Sequence, residues 1–318
     1  MINEQVFQKL NNTPAEDVVI ELKNVTKDYG KGRGIFDVSF KIPRGCVFGY
    51  CGTNGAGKTT TLRHIMGFIK PDSGEVYVRG VNPRKANVDL MKIIGYLPGE
   101  IAFPPVENGS EFLNLQAKML GITDMSDAER YINMLQLDPT ANLKRMSKGM
   151  KQKTAIVAAF MHHPEIILLD EPTTGLDPLM REAFIKILDE AKERGATVLM
   201  SNHMFDELEE TCDYVGFISN GHLIDVVDVH AMHEQPTREY IVTFNDKNDY
   251  DKALKLGYEV KEAIFETLTL KLNVNVSQIN DFIGLIKDFN IKSLNEEKYT
   301  LHRYFMENLG GLSDGSNS

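Results

Sequence analysis

Residues 46–69 read CVFGYCGTNGAGKTTTLRHIMGFI. The stretch opens on a short apolar run, Cys46 to Tyr50, of the kind a buried parallel strand needs. Residues 52–59 then follow the pattern G-x-x-x-x-G-K-[ST]. A chain wrapped around a polyphosphate must turn its backbone N–H groups inward, and glycine permits both the φ values and the close approach. Helical character follows from Lys58 to Ile69, so a helix N-terminus with free N–H groups faces the anion. The candidate contacts are Gly52, Thr53, Asn54, Gly55, Ala56, Gly57, Lys58, Thr59 and Thr60. Lys58 is placed to bridge β- and γ-phosphates, and the Thr59 hydroxyl to ligate Mg²⁺.

Further along, Ile166-Ile167-Leu168-Leu169 is followed directly by Asp170 and Glu171. A buried parallel strand delivers such acids to its C-terminal edge, where open α/β sheets bind ligands. Asp170 is expected to hold Mg²⁺, directly or through water, and Glu171 to orient or deprotonate an attacking water. Other strands are expected at 18–22, 35–42, 75–79, 93–97, 197–201 and 215–219, with a helix at 180–193. Between about 100 and 160 the apolar period turns helical: Phe112, Leu115, Met119 and Leu120 share one face, and Tyr131, Met134 and Leu135 another. The pattern implies an α/β core, a mostly parallel sheet with a helical insert.

The flanks differ. Residues 1–16 are polar and read as a flexible N-terminal arm, with the core domain at 17–228. From 229 to 310 the order strand, helix, strand, strand, helix, strand is that of a split βαβ unit, a small α+β domain. The tail 311–318 reads as disordered.

Composition narrows the partners. Lys plus Arg is 35 and Asp plus Glu 45, a net charge of −10, which argues against nucleic acid as a ligand. The three cysteines have no metal-binding spacing and read as reduced thiols of a cytosolic protein. No apolar stretch approaches the roughly 20 residues that span a bilayer. A role at a membrane therefore needs another chain to supply the span.

Over residues 18–225 the chain resembles the ATP-binding subunits of ABC transporters, a P-loop NTPase fold. The resemblance rests on the phosphate loop, the acidic strand end and four further segments. Tyr29 stands where that family stacks an aromatic on adenine. Gly175-Leu176-Asp177 looks like the D-loop, and His203 like the switch histidine that contacts the γ-phosphate. Met146-Ser147-Lys148-Gly149-Met150 aligns with the signature L-S-G-G-Q: Ser147 and Gly149 match, while Lys148 and Met150 depart from it. Variants of this kind are familiar among exporter ATPases linked to antimicrobial-peptide resistance. After Tyr96-Leu97-Pro98 the family has Gln and this chain has Gly99. Either Glu100 takes over part of the metal contact or that contact is weakened.

The resemblance implies an Mg²⁺-dependent ATP hydrolase on the cytoplasmic face of a membrane. It implies two partners, a transmembrane permease subunit and a second ATPase subunit, identical or related. Ser147 and Gly149 would then act across the dimer and Asp177 would line its interface. Export is favoured over import. The C-terminal module could aid dimerisation, bind a regulator or cap the fold. The alternative is a non-transport ATPase of the same type acting on nucleic acid or the ribosome. Such chains carry long coiled coils or two ATPase units with a basic linker, and neither is present here.

Overall fold

The structure, a computed structural model, describes residues 4–85 and 88–309. These fall into two compact units that meet in sequence between Val229 and His230. The first unit begins with α1 (Glu4–Asn11), β1 (Val18–Asp28), β2 (Gly34–Pro43), β3 (Val47–Cys51), α2 (Lys58–Ile65), β4 (Ser73–Val78), α3 (Val88–Lys92) and β5 (Ile94–Leu97). The helical insert follows as α4 (Gly109–Leu120), α5 (Ser126–Met134) and α6 (Lys148–Phe160). The unit ends with β6 (Ile166–Asp170), α7 (Pro178–Glu193), β7 (Thr197–Asn202), α8 (Phe205–Thr211), β8 (Tyr214–Ser219) and β9 (His222–Asp228).

The main sheet runs β5-β6-β7-β3-β8-β9. Its first five strands are parallel, and β9 pairs antiparallel with β8. Every residue of β3, β6 and β7 is buried, as parallel strands covered on both faces require. The strand β9 was not expected, yet it carries a local signal. Asn220 and Gly221 both take positive φ, 48° and 80°, and form the two-residue turn that joins antiparallel strands.

A second, antiparallel sheet, β2-β1-β4, holds the strands expected at 18–22, 35–42 and 75–79. The strand at 18–22 extends to Asp28 because residues past Leu22 pair with β2 and β4 through register shifts. Phe40 on this sheet stacks on Phe48 of β3, with ring centroids 5.4 Å apart, so the two sheets share one core.

Two expectations need correction. The arm at 1–16 is not loose where it is described: Glu4–Asn11 is helical, and Val6 and Leu10 are buried in the core. Lys9 pins it, with Nζ donating to Asp228 Oδ2 at 2.8 Å. Polar composition hid an apolar stripe at i, i+4. The helix expected to reach Ile69 stops at Ile65, since Gly67 (φ +71°) turns the chain and donates to His64 O at 2.9 Å. The expected tail 311–318 lies outside the described residues.

In the insert, α4 is capped by Asn108, whose Oδ1 accepts from Glu111 N at 3.0 Å. It buries Phe112, Leu113 and Ala117, while Met119, expected to share a face with Phe112, is 68% exposed. All three cysteines are free and buried, and burial pushes each thiol up to about 12.

After α9 (Val229–His233), the second unit comprises β10 (Thr237–Phe244), α10 (Lys247–Ala253), β11 (Glu259–Ile264), β12 (Thr269–Asn275), α11 (Ile279–Ile286), β13 (Ile291–Glu297) and α12 (Leu301–Asn308). Its antiparallel sheet, β11-β12-β10-β13, has the order of a split βαβ fold. Phe244, Leu270, Leu272 and Phe282 form its separate core. Arg303 on α12 grips Glu239 of β10 with two bonds, Nη1 to Oε2 at 2.7 Å and Nη2 to Oε1 at 2.9 Å. The guanidinium lowers the carboxyl's pKa from its ordinary value near 4.5. Arg303→Met is expected to destabilise this unit by about 2 kcal/mol at neutral pH, read as lost hydrogen-exchange protection in β10. Because the folded-state pKa is depressed, that stability is present above the ordinary value. It disappears as pH falls below it, so wild type and variant should converge in acid.

Candidate active site

The loop from Gly52 to Gly57 joins β3 to α2 and needs glycine for two different reasons. A Cβ on Gly52 would lie 2.4 Å from Ile218 O, and one on Gly57 would lie 2.6 Å from Ile35 Cγ2. Gly55 has open space but takes φ +84°. No side chain caps α2, whose N-cap is Gly57, so its first N–H groups remain free for an anion. Lys58 is buried, and its Nζ donates to Gly52 O at 2.7 Å and Thr53 O at 3.2 Å. The cationic head therefore sits inside the loop. Thr53, Asn54 and Gly55 are exposed along it, Ala56 is buried, and Thr60 is half-buried in the first turn of α2.

The acidic strand end meets this loop. Thr59 Oγ1 donates to Asp170 Oδ2 at 2.6 Å, and Ser201 Oγ to Asp170 Oδ1 at 2.5 Å. The register of β6 on β7 sets Asp170 directly beside Ser201. A hydroxyl and a carboxylate in contact, beside a phosphate cradle, are oxygen donors of the kind Mg²⁺ prefers. The residues present therefore fit the ion. Among the described residues no cluster of three or more His, Cys, Asp or Glu could hold a metal by itself.

The candidate Glu100 is not brought to this pair. Its side chain is exposed, while a Cβ on neighbouring Gly99 would lie 2.9 Å from Asp170 Oδ2. The Asp170 carboxylate crowds the space that a side chain at position 99 would enter.

Glu171 takes positive φ (51°), a strained conformation for this residue type. The surroundings hold it there. Its N–H donates to Ser201 Oγ and Ser201 O, both at 3.1 Å, and Gln152 Nε2 donates to the carbonyls of Glu171 (3.3 Å) and Pro172 (2.7 Å). Its Oε1 lies 3.6 Å from Lys58 Nζ and 3.7 Å from His203 Nδ1. Lys58, Glu171 and His203 thus converge from three segments. Ser201 and Gln152, which hold this arrangement, were not singled out from the sequence. A register contact and a helix-to-loop bond leave no local signal.

The remaining candidates sit elsewhere. Ser147 is exposed and caps α6, accepting from Met150 N at 3.2 Å. A Cβ on Gly149 would meet Gly175 O at 2.6 Å, so the signature-like and D-loop-like segments touch within the chain. Asp177 is exposed and caps α7, accepting from Met180 N at 3.0 Å. Among the described residues no hydrogen bond or ion pair links Ser147 or Gly149 to the phosphate loop. Tyr29 is 47% exposed, with Lys27 Nζ 5.8 Å from its ring centroid. Its turn returns to Gly34, whose carbonyl would lie 3.1 Å from a Cβ on Gly57.

Comparison with known proteins agrees with this geometry. A family model described as "ABC transporter" matches residues 35–174. The linearmycin resistance ATP-binding protein LnrL of Bacillus subtilis (strain 168) is 30% identical over 307 residues, 92% of this chain and 98% of that protein. The bacitracin transport ATP-binding protein BcrA of Bacillus licheniformis is 29% identical over 312 residues, 93% of this chain and 99% of its own length. A solved ATP-binding subunit of an ABC transporter superposes with a TM-score of 0.62 at 29% identity, covering 68% of this chain and 92% of that one. A dimeric ATP-binding cassette bound to ADP and Pi gives 0.58 at 27% identity, covering 66% and 98%. The chain belongs to the family of ABC transporter ATP-binding subunits. It binds and hydrolyses ATP as part of a transporter. Among the described residues no helix is long and apolar enough to cross a membrane.

Proposed function

We propose that this chain powers an exporter from the cytoplasmic face of a membrane, seated against a separate permease subunit and paired with a second ATPase subunit. The convergence of Lys58, Glu171 and His203 beside the Thr59–Asp170 pair carries the reading. Lys58 and the free N–H groups of α2 bind the ATP phosphates, and Tyr29 stacks on the adenine. Thr59 and Asp170 hold Mg²⁺, which neutralises charge on the phosphates when bound. Glu171 orients or deprotonates the attacking water, and His203 contacts the γ-phosphate. Ser147, Gly149 and Asp177 face the partner subunit's nucleotide, so ATP binding closes two ATPase units and hydrolysis releases them. The exposure of Ser147 and Asp177 supports action across a dimer.

A groove of about 360 Å³ between β5 and helices α4 and α6 is the candidate permease surface. Tyr96, Phe103, Phe112 and Met119 line it, and Phe103 packs edge-on against Phe112 at 4.8 Å. Export is favoured because the match to the bacitracin and linearmycin proteins covers more than nine-tenths of this chain. It therefore reaches into the second unit, beyond the ATPase core. The test is resistance of cells expressing this chain with its permease to a panel that includes bacitracin and linearmycin. Resistance should rise with the wild-type chain and not with Glu171→Gln. Equal resistance with both chains would contradict export.

A further inference from the structure

Glu207 lies on α8, outside every segment given a role so far, and is 5% exposed. Its carboxylate meets two hydrogen-bond donors and one cationic partner, from three segments. Oε2 accepts from Thr173 Oγ1 at 2.6 Å and from Asn202 Nδ2 at 2.5 Å, while Oε1 lies 2.8 Å from Arg181 Nε as an ion pair that lacks hydrogen-bond alignment. Thr173 stands two residues after Glu171. Asn202 directly precedes His203. Arg181 lies one turn into α7, its N–H bonded to the carbonyl of Asp177, which caps that helix. The segments bearing Glu171, His203 and Asp177 are thus tied to one buried carboxylate.

Asn202 passes this hold to the histidine. Its Nδ2 is committed to Glu207, which leaves Oδ1 to accept from His203 N at 2.7 Å and Met204 N at 3.0 Å. These bonds fix the turn on which His203 stands, 3.7 Å from Glu171. A buried carboxylate bonded through Oε2 to Thr173 and Asn202 and charge-paired with Arg181 is costly to disturb, which couples the segments it joins.

We infer that Glu207 is a positioning residue for ATP hydrolysis: it locks His203 and the Glu171 strand end to the helix capped by Asp177. The inference rests on the roles proposed above for Glu171 and His203. It adds that hydrolytic geometry is tied, through Arg181, to the segment proposed to face the second subunit.

The test is steady-state ATPase of the complex with its permease, with ATP affinity and thermal midpoint measured in parallel. Glu207→Gln is isosteric and retains an acceptor for Thr173 and Asn202, but it sets a neutral group against Arg181. It should lower kcat per bound ATP by about ten- to a hundredfold, with the Kd for ATP within about twofold. Arg181→Met should lower kcat in the same direction, and the double variant should be no slower than Glu207→Gln alone, as expected of residues acting as one unit. Unchanged kcat per bound ATP, or a loss tracked fully by the folded fraction, would overturn the inference, as would multiplicative effects in the double variant. His203→Ala separates the two readings. If it leaves kcat unchanged, the proposed site itself is wrong; if it lowers kcat and Glu207→Gln does not, only the lock is wrong.

Discussion

Glu171→Gln is expected to slow phosphate release by the assembled complex about 10²- to 10³-fold, while ATP affinity changes by less than about twofold. The substitution keeps shape and volume. The main-chain bonds that hold residue 171 in its strained conformation, from Ser201 and Gln152, do not involve the carboxylate and survive. What is lost is the negative charge between Lys58 Nζ and His203 Nδ1, the group available to accept a proton or direct a lone pair. Binding is expected to persist because the phosphate contacts belong to the loop and α2. The ATP-loaded, closed state should therefore accumulate. Phosphate release at the wild-type rate would remove Glu171 from the chemistry.

Lys58→Met is expected to act on binding. The methionine keeps much of the stem but deletes the ammonium held inside the loop by Gly52 O and Thr53 O. A charge-assisted contact to phosphate contributes about 2–3 kcal/mol, so the Kd for ATP should rise by about two orders of magnitude. Isothermal titration of the full chain with ATP measures this directly. The fold should survive, since β3 and the core around it are untouched. An affinity within about twofold of wild type would exclude Lys58 as a principal phosphate ligand.

The two variants probe the parts that were most legible. The phosphate loop is encoded locally: glycines where backbone must turn or pack closely, lysine and threonine at the helix start. The four aliphatic residues before Asp170 announce a buried strand in the same direct way. Ser201 did not stand out, because its contact with Asp170 depends on how β6 and β7 align, and register between distant strands has no local signature. Glu207 was hidden for a related reason. It sits in Phe205–Thr211, FDELEET, whose acidic composition looks solvated, although three partners from elsewhere make burial possible. The arm's helix was missed because its two buried apolar residues, Val6 and Leu10, stand in a mostly polar stretch. Asn220-Gly221 could have revealed β9, since it lies between two apolar runs. In the second unit, the change from helical to alternating periods exposed the element order, while the sheet order follows from long-range pairing alone.

Gly99 lies beside the carboxylate of Asp170. The Asp170 carboxylate lies 2.9 Å from where a Cβ at Gly99 would stand. Residues on both sides of Gly99, Tyr96 and Pro98 before and Ile101 to Phe103 after, line the groove. The loop between Leu97 and Phe103 therefore joins the Asp170 region to the candidate permease surface through main chain.

The most direct test of the account is affinity isolation of this chain from its own cells after crosslinking, with and without detergent extraction, followed by mass spectrometry. The account expects a polytopic membrane protein to be recovered with it after detergent extraction. Recovery of soluble partners alone, such as ribosomal or DNA-associated proteins, would contradict it.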